Sequence, residues 1–132
     1  MTTYKSIRGL TVQSVTTDPE VSTGAWSSGG AMNTAKYGAT NGTNGIQTAA
    51  IAAGGHPDRA TTEQYNGSAW SEVGDLNTGR SRLGGAATSY TASVAFGGYI
   101  TASSANQALT EKFDGSSWTE SGDLSTARRM VT

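Results

Sequence analysis

The stretch Thr62-Glu63-Gln64-Tyr65-Asn66-Gly67-Ser68-Ala69-Trp70-Ser71-Glu72-Val73 returns, with nearly the same residue types in the same order, as Thr110-Glu111-Lys112-Phe113-Asp114-Gly115-Ser116-Ser117-Trp118-Thr119-Glu120-Ser121. In each copy a Thr-rich alternating run flanks Asn-Gly or Asp-Gly. Those pairs are favoured where a two-residue type I′ turn joins two strands, because both central positions need φ > 0. Each copy therefore predicts an antiparallel hairpin, with strand chemistry on both sides of the turn.

The repetition extends outward. A small, apolar segment ending in a double glycine precedes each hairpin: Thr48-Ala49-Ala50-Ile51-Ala52-Ala53-Gly54-Gly55 and Thr91-Ala92-Ser93-Val94-Ala95-Phe96-Gly97-Gly98. Before that lies a first segment, Lys36 to Thr40 in one copy and Arg80 to Gly84 in the other. A related tetrapeptide begins seven residues after each of Trp26, Trp70 and Trp118: Asn33-Thr34-Ala35-Lys36, Asn77-Thr78-Gly79-Arg80 and Ser125-Thr126-Ala127-Arg128. The tryptophans are 44 and 48 residues apart, a period typical of one stacked supersecondary unit. The fold class expected is all-β, in four-stranded antiparallel repeats. Two units are complete, at about residues 33–73 and 77–121, with partial units at both ends. No window has sustained helical periodicity. Tyr65 with Trp70, and Phe113 with Trp118, are expected to fill the space between neighbouring sheets. Alanine and glycine on the second strand suit crowding near the axis of a radial array.

Composition excludes several function classes. The chain has 132 residues, a net charge of −1 and only 14% charged residues, so no cation cluster is available for nucleic acid or an anionic membrane. It has no cysteine, which removes disulfides, Cys-ligated zinc and thiol nucleophiles. No apolar run is long enough for a membrane span. Met1 to Leu10 carries charges and no apolar stretch, and so does not read as a secretory signal.

The order double glycine, aromatic, then Trp five residues later resembles the kelch repeat of β-propellers over about residues 25–132. The distance from double glycine to aromatic differs between the copies, and the apolar strand is richer in alanine than typical kelch units. Alanine-rich units of this kind, with Asn-Thr-Ala-Arg-like and Asp-Gly-Ser-x-Trp stretches, are similar to repeats in structural proteins of tailed phages, marine ones especially. Residues 1–24, with Tyr4-Lys5-x-Ile7-Arg8-Gly9 and Asp18-Pro19, followed by Gly24-x-Trp26, resemble the attachment segment that opens some virion proteins. Copper-radical oxidases share the kelch pattern, but their Cys–Tyr cofactor cannot form without cysteine. A propeller needs roughly four to eight blades. The two units here imply a piece of a longer repeat protein or several chains closing a ring, and three copies would supply six units.

Few residues are placed for chemistry. His56, in His56-Pro57-Asp58-Arg59, is the only histidine. It reads as a metal ligand or general base with Asp58, or as a solvated loop residue. No Gly-x-Ser-x-Gly elbow occurs. The carboxylates Glu63 and Glu111, Glu72 and Glu120, and Asp75 and Asp123 recur at matching positions, one of each pair per unit, and are expected on solvated strand faces and in turns rather than across one cleft. Lys36, Arg80 and Arg128 read either as a ring of cations for an anionic glycan or phosphate, or as structural cations pairing with a carboxylate of a neighbouring unit or capping turn carbonyls.

The copies differ most between the double glycine and the third strand. One has the four residues His56 to Arg59, the other the nine residues Tyr99 to Gln107. Length variation between repeats maps to loops on one face, often the binding face. The candidate ligand-binding residues are therefore Tyr99, Asn106, Gln107, His56, Asp58 and Arg59, with Tyr99 able to stack on a sugar. No catalytic residue, metal site or cofactor is expected. The resemblance implies a non-enzymatic structural or adhesive protein of a tailed-phage particle, on tail or capsid. It would contact other virion proteins through residues 1–24, form a homo-oligomer (a trimer for choice), and hold a host surface glycan, with no nucleic acid and no membrane span. The alternatives are a soluble lectin closed by oligomerisation and a fragment of a larger kelch-type secreted enzyme.

Overall fold

The computed structural model describes residues 28–42, 48–89 and 91–129. Trp26, the segment 1–24 and the tail from Met130 lie outside them. Among the described residues every regular element is a strand. The strands are β1 (Asn41–Gly42), β2 (Ala50–Ala53), β3 (Thr62–Tyr65), β4 (Trp70–Val73), β5 (Gly84–Ser89), β6 (Ala92–Phe96), β7 (Tyr99–Ile100), β8 (Ala105–Asn106), β9 (Thr110–Phe113) and β10 (Trp118–Ser121).

The first unit contributes the antiparallel sheet β2-β3-β4, and the second unit the antiparallel run β5-β6-β9-β10. The second follows the predicted four-stranded meander, but the first forms only three of its strands: Lys36 to Thr40 is not a strand, its Thr40 amide donating to Ala53 O beside β2, and β1 pairs with the second unit instead. Cross-strand pairs fall on equivalent residues: Tyr65 faces Trp70 as Phe113 faces Trp118, and Glu63 faces Glu72 as Glu111 faces Glu120. β7 and β8 form a small separate hairpin inside the nine-residue insertion. β1 pairs in parallel with β5, Asn41 opposite Gly84, and ties the first unit to the innermost strand of the second.

Two further sequence expectations shift. The connection after β3 is not a two-residue type I′ turn. Tyr65 pairs with Trp70, so residues 66–69 all lie in the loop, and only Gly67 takes positive φ, at 96°. The Asn66 side chain displaces the simpler turn, because its Oδ1 accepts from the amides of both Ser68 and Ala69 at 2.9 and 3.0 Å. Asp114 does the same for Ser116 and Ser117, and these amides hold its carboxyl below the usual range. The first strand of the second unit begins at Gly84 rather than Arg80. Arg80 to Arg82 instead link the units: Arg80 is buried, Ser81 bridges to Tyr99, and Arg82 turns the chain at φ 55°.

The core lies between the two sheets. Ile51 and Ala53 of the first unit meet Ala95, Phe113 and Trp118 of the second, with Leu76 and Leu83 closing the gap from the linker. The Phe113 and Trp118 rings pack tilted, 5.1 Å between centroids. Each such aromatic contributes roughly 1.5–3 kcal/mol through burial. The Trp118 indole Nε1 donates to Thr62 Oγ1 at 3.0 Å, so its polar edge is satisfied inside the interface.

Candidate functional site

In each of the two complete units, recurring polar residues form a network that locks the tetrapeptide onto the third strand of its own unit. Glu63 is buried. It accepts from the Asn33 amide at 2.7 Å and the Thr34 amide at 3.1 Å, and lies 3.5 Å from Lys36 Nζ. Glu111 repeats this, accepting from the Asn77 amide at 2.7 Å and Asn77 Nδ2 at 3.0 Å, and pairing with Arg80. These two glutamates are therefore not on solvated faces, as the strand alternation had implied. The residue two positions before each aromatic points inward with it, and the backbone donors and cation of the tetrapeptide neutralise the buried charge. Glu72, Glu120, Asp75 and Asp123 are exposed, as expected. Asp75 and Asp123 cap the amides of Thr62 and Thr110.

The cations are structural in both fully formed units, and their carboxylate is in the same unit rather than a neighbouring one. Arg80 Nε donates to Gly97 O at 2.9 Å and Nη1 to Thr78 O at 2.8 Å, while Lys36 Nζ donates to Thr61 O at 2.7 Å. Burial pushes the Lys36 ammonium below its ordinary pKa, and the neighbouring Glu63 opposes that shift. The double glycines complete the link between units. Gly55 donates to Arg80 O at 3.0 Å and Gly98 to Arg128 O at 2.8 Å, with positive φ at both glycines.

The variable loops make the remaining cluster. The His56 ring stacks on Tyr37, centroids 4.7 Å apart, and Tyr37 is 65% exposed. Asp58, at φ 68°, aims its carboxylate at the long insertion, accepting from the Thr101 amide at 2.7 Å and the Ala102 amide at 3.0 Å. Desolvation works to raise the Asp58 pKa, but these amide bonds prevail and hold the carboxyl below its usual range. Tyr99 has a guanidinium on its ring from Arg129, at 4.6 Å, and another from Arg82, at 5.6 Å.

The structure therefore joins Asp58 to the Tyr99–Gln107 insertion. The other candidates divide between presentation and support. Asn106 is exposed. Gln107 is tied down, its amide donating to Gly98 O and its carbonyl accepting from Arg128 N. Arg59 plays the matching part in the short loop, its amide donating to Gly55 O and its carbonyl accepting from Arg80 N. Sequence reading missed Arg82 and Arg129, which reach Tyr99 from the segments after two different tetrapeptides. Their only signal was position, two residues after Arg80 and one after Arg128. Among the described residues no three His, Asp or Glu side chains converge as a metal site, and no helix is long and apolar enough to cross a membrane. Compared with protein-family models and with curated proteins, the chain matches none.

Proposed function

We propose that this chain is a non-catalytic structural and adhesive protein of a tailed-phage particle, its units being kelch-like propeller blades that display the His56–Arg59 and Tyr99–Gln107 loops at one end. One observation carries the display part of the reading. The polar residues that repeat between units are engaged in holding each unit's tetrapeptide to its third strand, while the segments that differ in length form a capped, partly exposed cluster. The repeat pattern itself supports the virion part, through its resemblance to phage structural proteins.

The ligand class favoured is a surface glycan. Tyr37 and Tyr99 offer aromatic faces, Arg82 and Arg129 offer cations, and the exposed Thr101 to Ser104 turn offers hydroxyls. A glycan array probed with the full chain tests this, alongside Tyr99→Ala and Asp58→Ala. Binding that falls at least tenfold in both variants supports the reading. An array without signal, or one insensitive to both variants, overturns the adhesive half. The virion half is tested by particle composition: antibodies raised to this chain should label purified particles.

A further inference from the structure

Among the described residues, the contact between the two units recurs as an unfilled half at the far side of the second unit. The outer face of the first sheet is covered: Ala53 and Thr62 are fully buried, and Thr62 Oγ1 receives the Trp118 indole. Their equivalents in the second sheet are Phe96 and Thr110. Phe96 is half-buried, as is its neighbour Val94, and Thr110 Oγ1 is buried with no hydrogen-bond partner among the described residues. A cavity of about 390 Å³ lies farther along the same strands, lined by Ala86, Ser93, Val94, Lys112 and Phe113 and not by Phe96 or Thr110.

Glycine four residues after each tryptophan gives the same result. A methyl at Gly30 would meet Ser68 O at 2.7 Å, and one at Gly74 would meet Ser116 O at 2.2 Å, so each glycine lets the next unit's hairpin loop approach. At Gly122 a methyl would meet no atom of the described residues within 4 Å.

The tetrapeptide makes a third case. The Arg128 backbone already sits as Arg80 does: its carbonyl accepts from Gly98 and its amide donates to Gln107 O, as Arg80 does with Gly55 and Arg59. Yet Arg128 is exposed, and among the described residues no carboxylate pairs with it.

We infer that this face is the docking half of an interface for a further unit of the same repeat, one whose third-strand glutamate is unclaimed. That glutamate accepts from Ser125, Thr126 and Arg128. The unit's tryptophan indole donates to Thr110 Oγ1, and its hairpin loop lies on Gly122. An intact second copy does not offer this set, because Glu63 is already held by Asn33, Thr34 and Lys36, and Glu111 by Asn77 and Arg80. The inference rests on the repeat part of the proposed function and not on the virion or glycan part, so a blank glycan array leaves it standing.

The test supplies the occupant in cis. Residues 81–128 are duplicated in frame after Arg128 in the full chain. Thr110→Val, Gly122→Ala and Arg128→Ala are then made in both the parent and the extended protein. In the parent all three leave the urea unfolding midpoint nearly unchanged. In the extended protein each lowers the folded-to-unfolded ratio about tenfold or more, the scale of an orphaned buried donor or a forced backbone contact. Proton NMR of the extended protein shows one additional slowly exchanging indole N–H, and Thr110→Val removes it. Variants equally silent in both proteins overturn the inference, as does an added segment that brings no β signal and no slow indole. Sedimentation gives a third arm: a parent chain that self-associates at about ten micromolar and is dispersed by Arg128→Ala makes a second copy the occupant, and likewise overturns it.

Discussion

Replacing Glu111 by glutamine should release the Asn77 to Arg80 tetrapeptide from β9 and loosen the linker whose Arg80 backbone bonds Gly55 and Arg59 of the first unit. The side chain is 1% exposed and pairs with Arg80, itself fully buried, while also receiving Asn77 N and Nδ2. Arg80 Nη2 has no partner of its own, so Glu111 supplies the only carboxylate bound to this guanidinium among the described residues. Glutamine keeps the shape and removes the charge. Breaking a buried pair from one side costs about 3–5 kcal/mol, because the remaining charge stays desolvated. A loss of about 4 kcal/mol at an m-value near 1.5 kcal/mol per molar moves the urea midpoint down by about 2.5 M. That is a large share of a typical domain's stability of about 5–15 kcal/mol.

The companion substitution Glu63→Gln distinguishes a charge effect from a packing effect. Arginine cannot shed its proton, but a buried lysine can. Burial already lowers the pKa of Lys36, and removing Glu63 takes away the largest opposing influence, leaving only the weaker pull of Asp75 and Glu72. The folded value then lies below the unfolded one, near 10.4, so stability of Glu63→Gln recovers as pH rises through that window. Glu111→Gln should show no such recovery. Urea titrations followed by far-UV circular dichroism at pH 7 and pH 10 measure both. The paired change Arg80→Met with Glu111→Leu should regain most of the loss, since neither charge is then buried. A Glu111→Gln variant within about 0.5 kcal/mol of the parent, or a double variant no better than the single, refutes the reasoning.

Three further outcomes are expected. Thr62→Val leaves the Trp118 indole without an acceptor inside the core and should cost about 1–3 kcal/mol by urea unfolding, with faster indole N–H exchange as its direct signature. Gly74→Ala places a methyl 2.2 Å from Ser116 O, so the sheets must part; a loss of about 1–3 kcal/mol is expected, against almost none for Gly122→Ala. Asp58 has a folded pKa below its unfolded value near 3.9, so its capping of Thr101 and Ala102 stabilises above that value and is lost as pH falls through the lower one. Amide exchange at Thr101 and Ala102 should accelerate in Asp58→Asn at pH 6, and the difference from the parent should vanish near pH 2.

The strands were legible because period-two alternation and turn residues are local, and both occurred twice. The linkers were not, because their structure depends on groups far along the chain. Arg80 to Arg82 read as strand, yet Arg80 N bonds Arg59 O, Ser81 bridges to Tyr99 and Arg82 N bonds Gly38 O. Nothing near residue 80 signals those partners. Glu63 and Glu111 were misjudged for the opposite reason. A charged residue on an alternating strand is usually solvated, and it is the donors and cation of a tetrapeptide far upstream that make burial tolerable. In the candidate site, the length difference between loops was visible from the repeat. The Asp58 bond to Thr101, 43 residues away, was not, because it joins loops that belong to different units.

Recurrence in this chain does more than separate architecture from function. A residue that repeats also predicts its partner, so a repeated residue lacking one is informative. Thr62 and Thr110 occupy the same place, but among the described residues only Thr62 receives an indole. A methyl at Gly74 meets a backbone carbonyl at 2.2 Å where one at Gly122 meets no atom of the described residues. Arg80 holds a carboxylate, and Arg128, with its backbone in the matching position, holds none. These differences arise from three unrelated interactions: an indole donor, a steric approach and an ion pair. A single packing accident could leave one of them open. That all three open on one side of the second sheet is explained most simply by a missing neighbour of the same kind. The cost of leaving a hydroxyl buried and unbonded gives that neighbour a thermodynamic reason to bind.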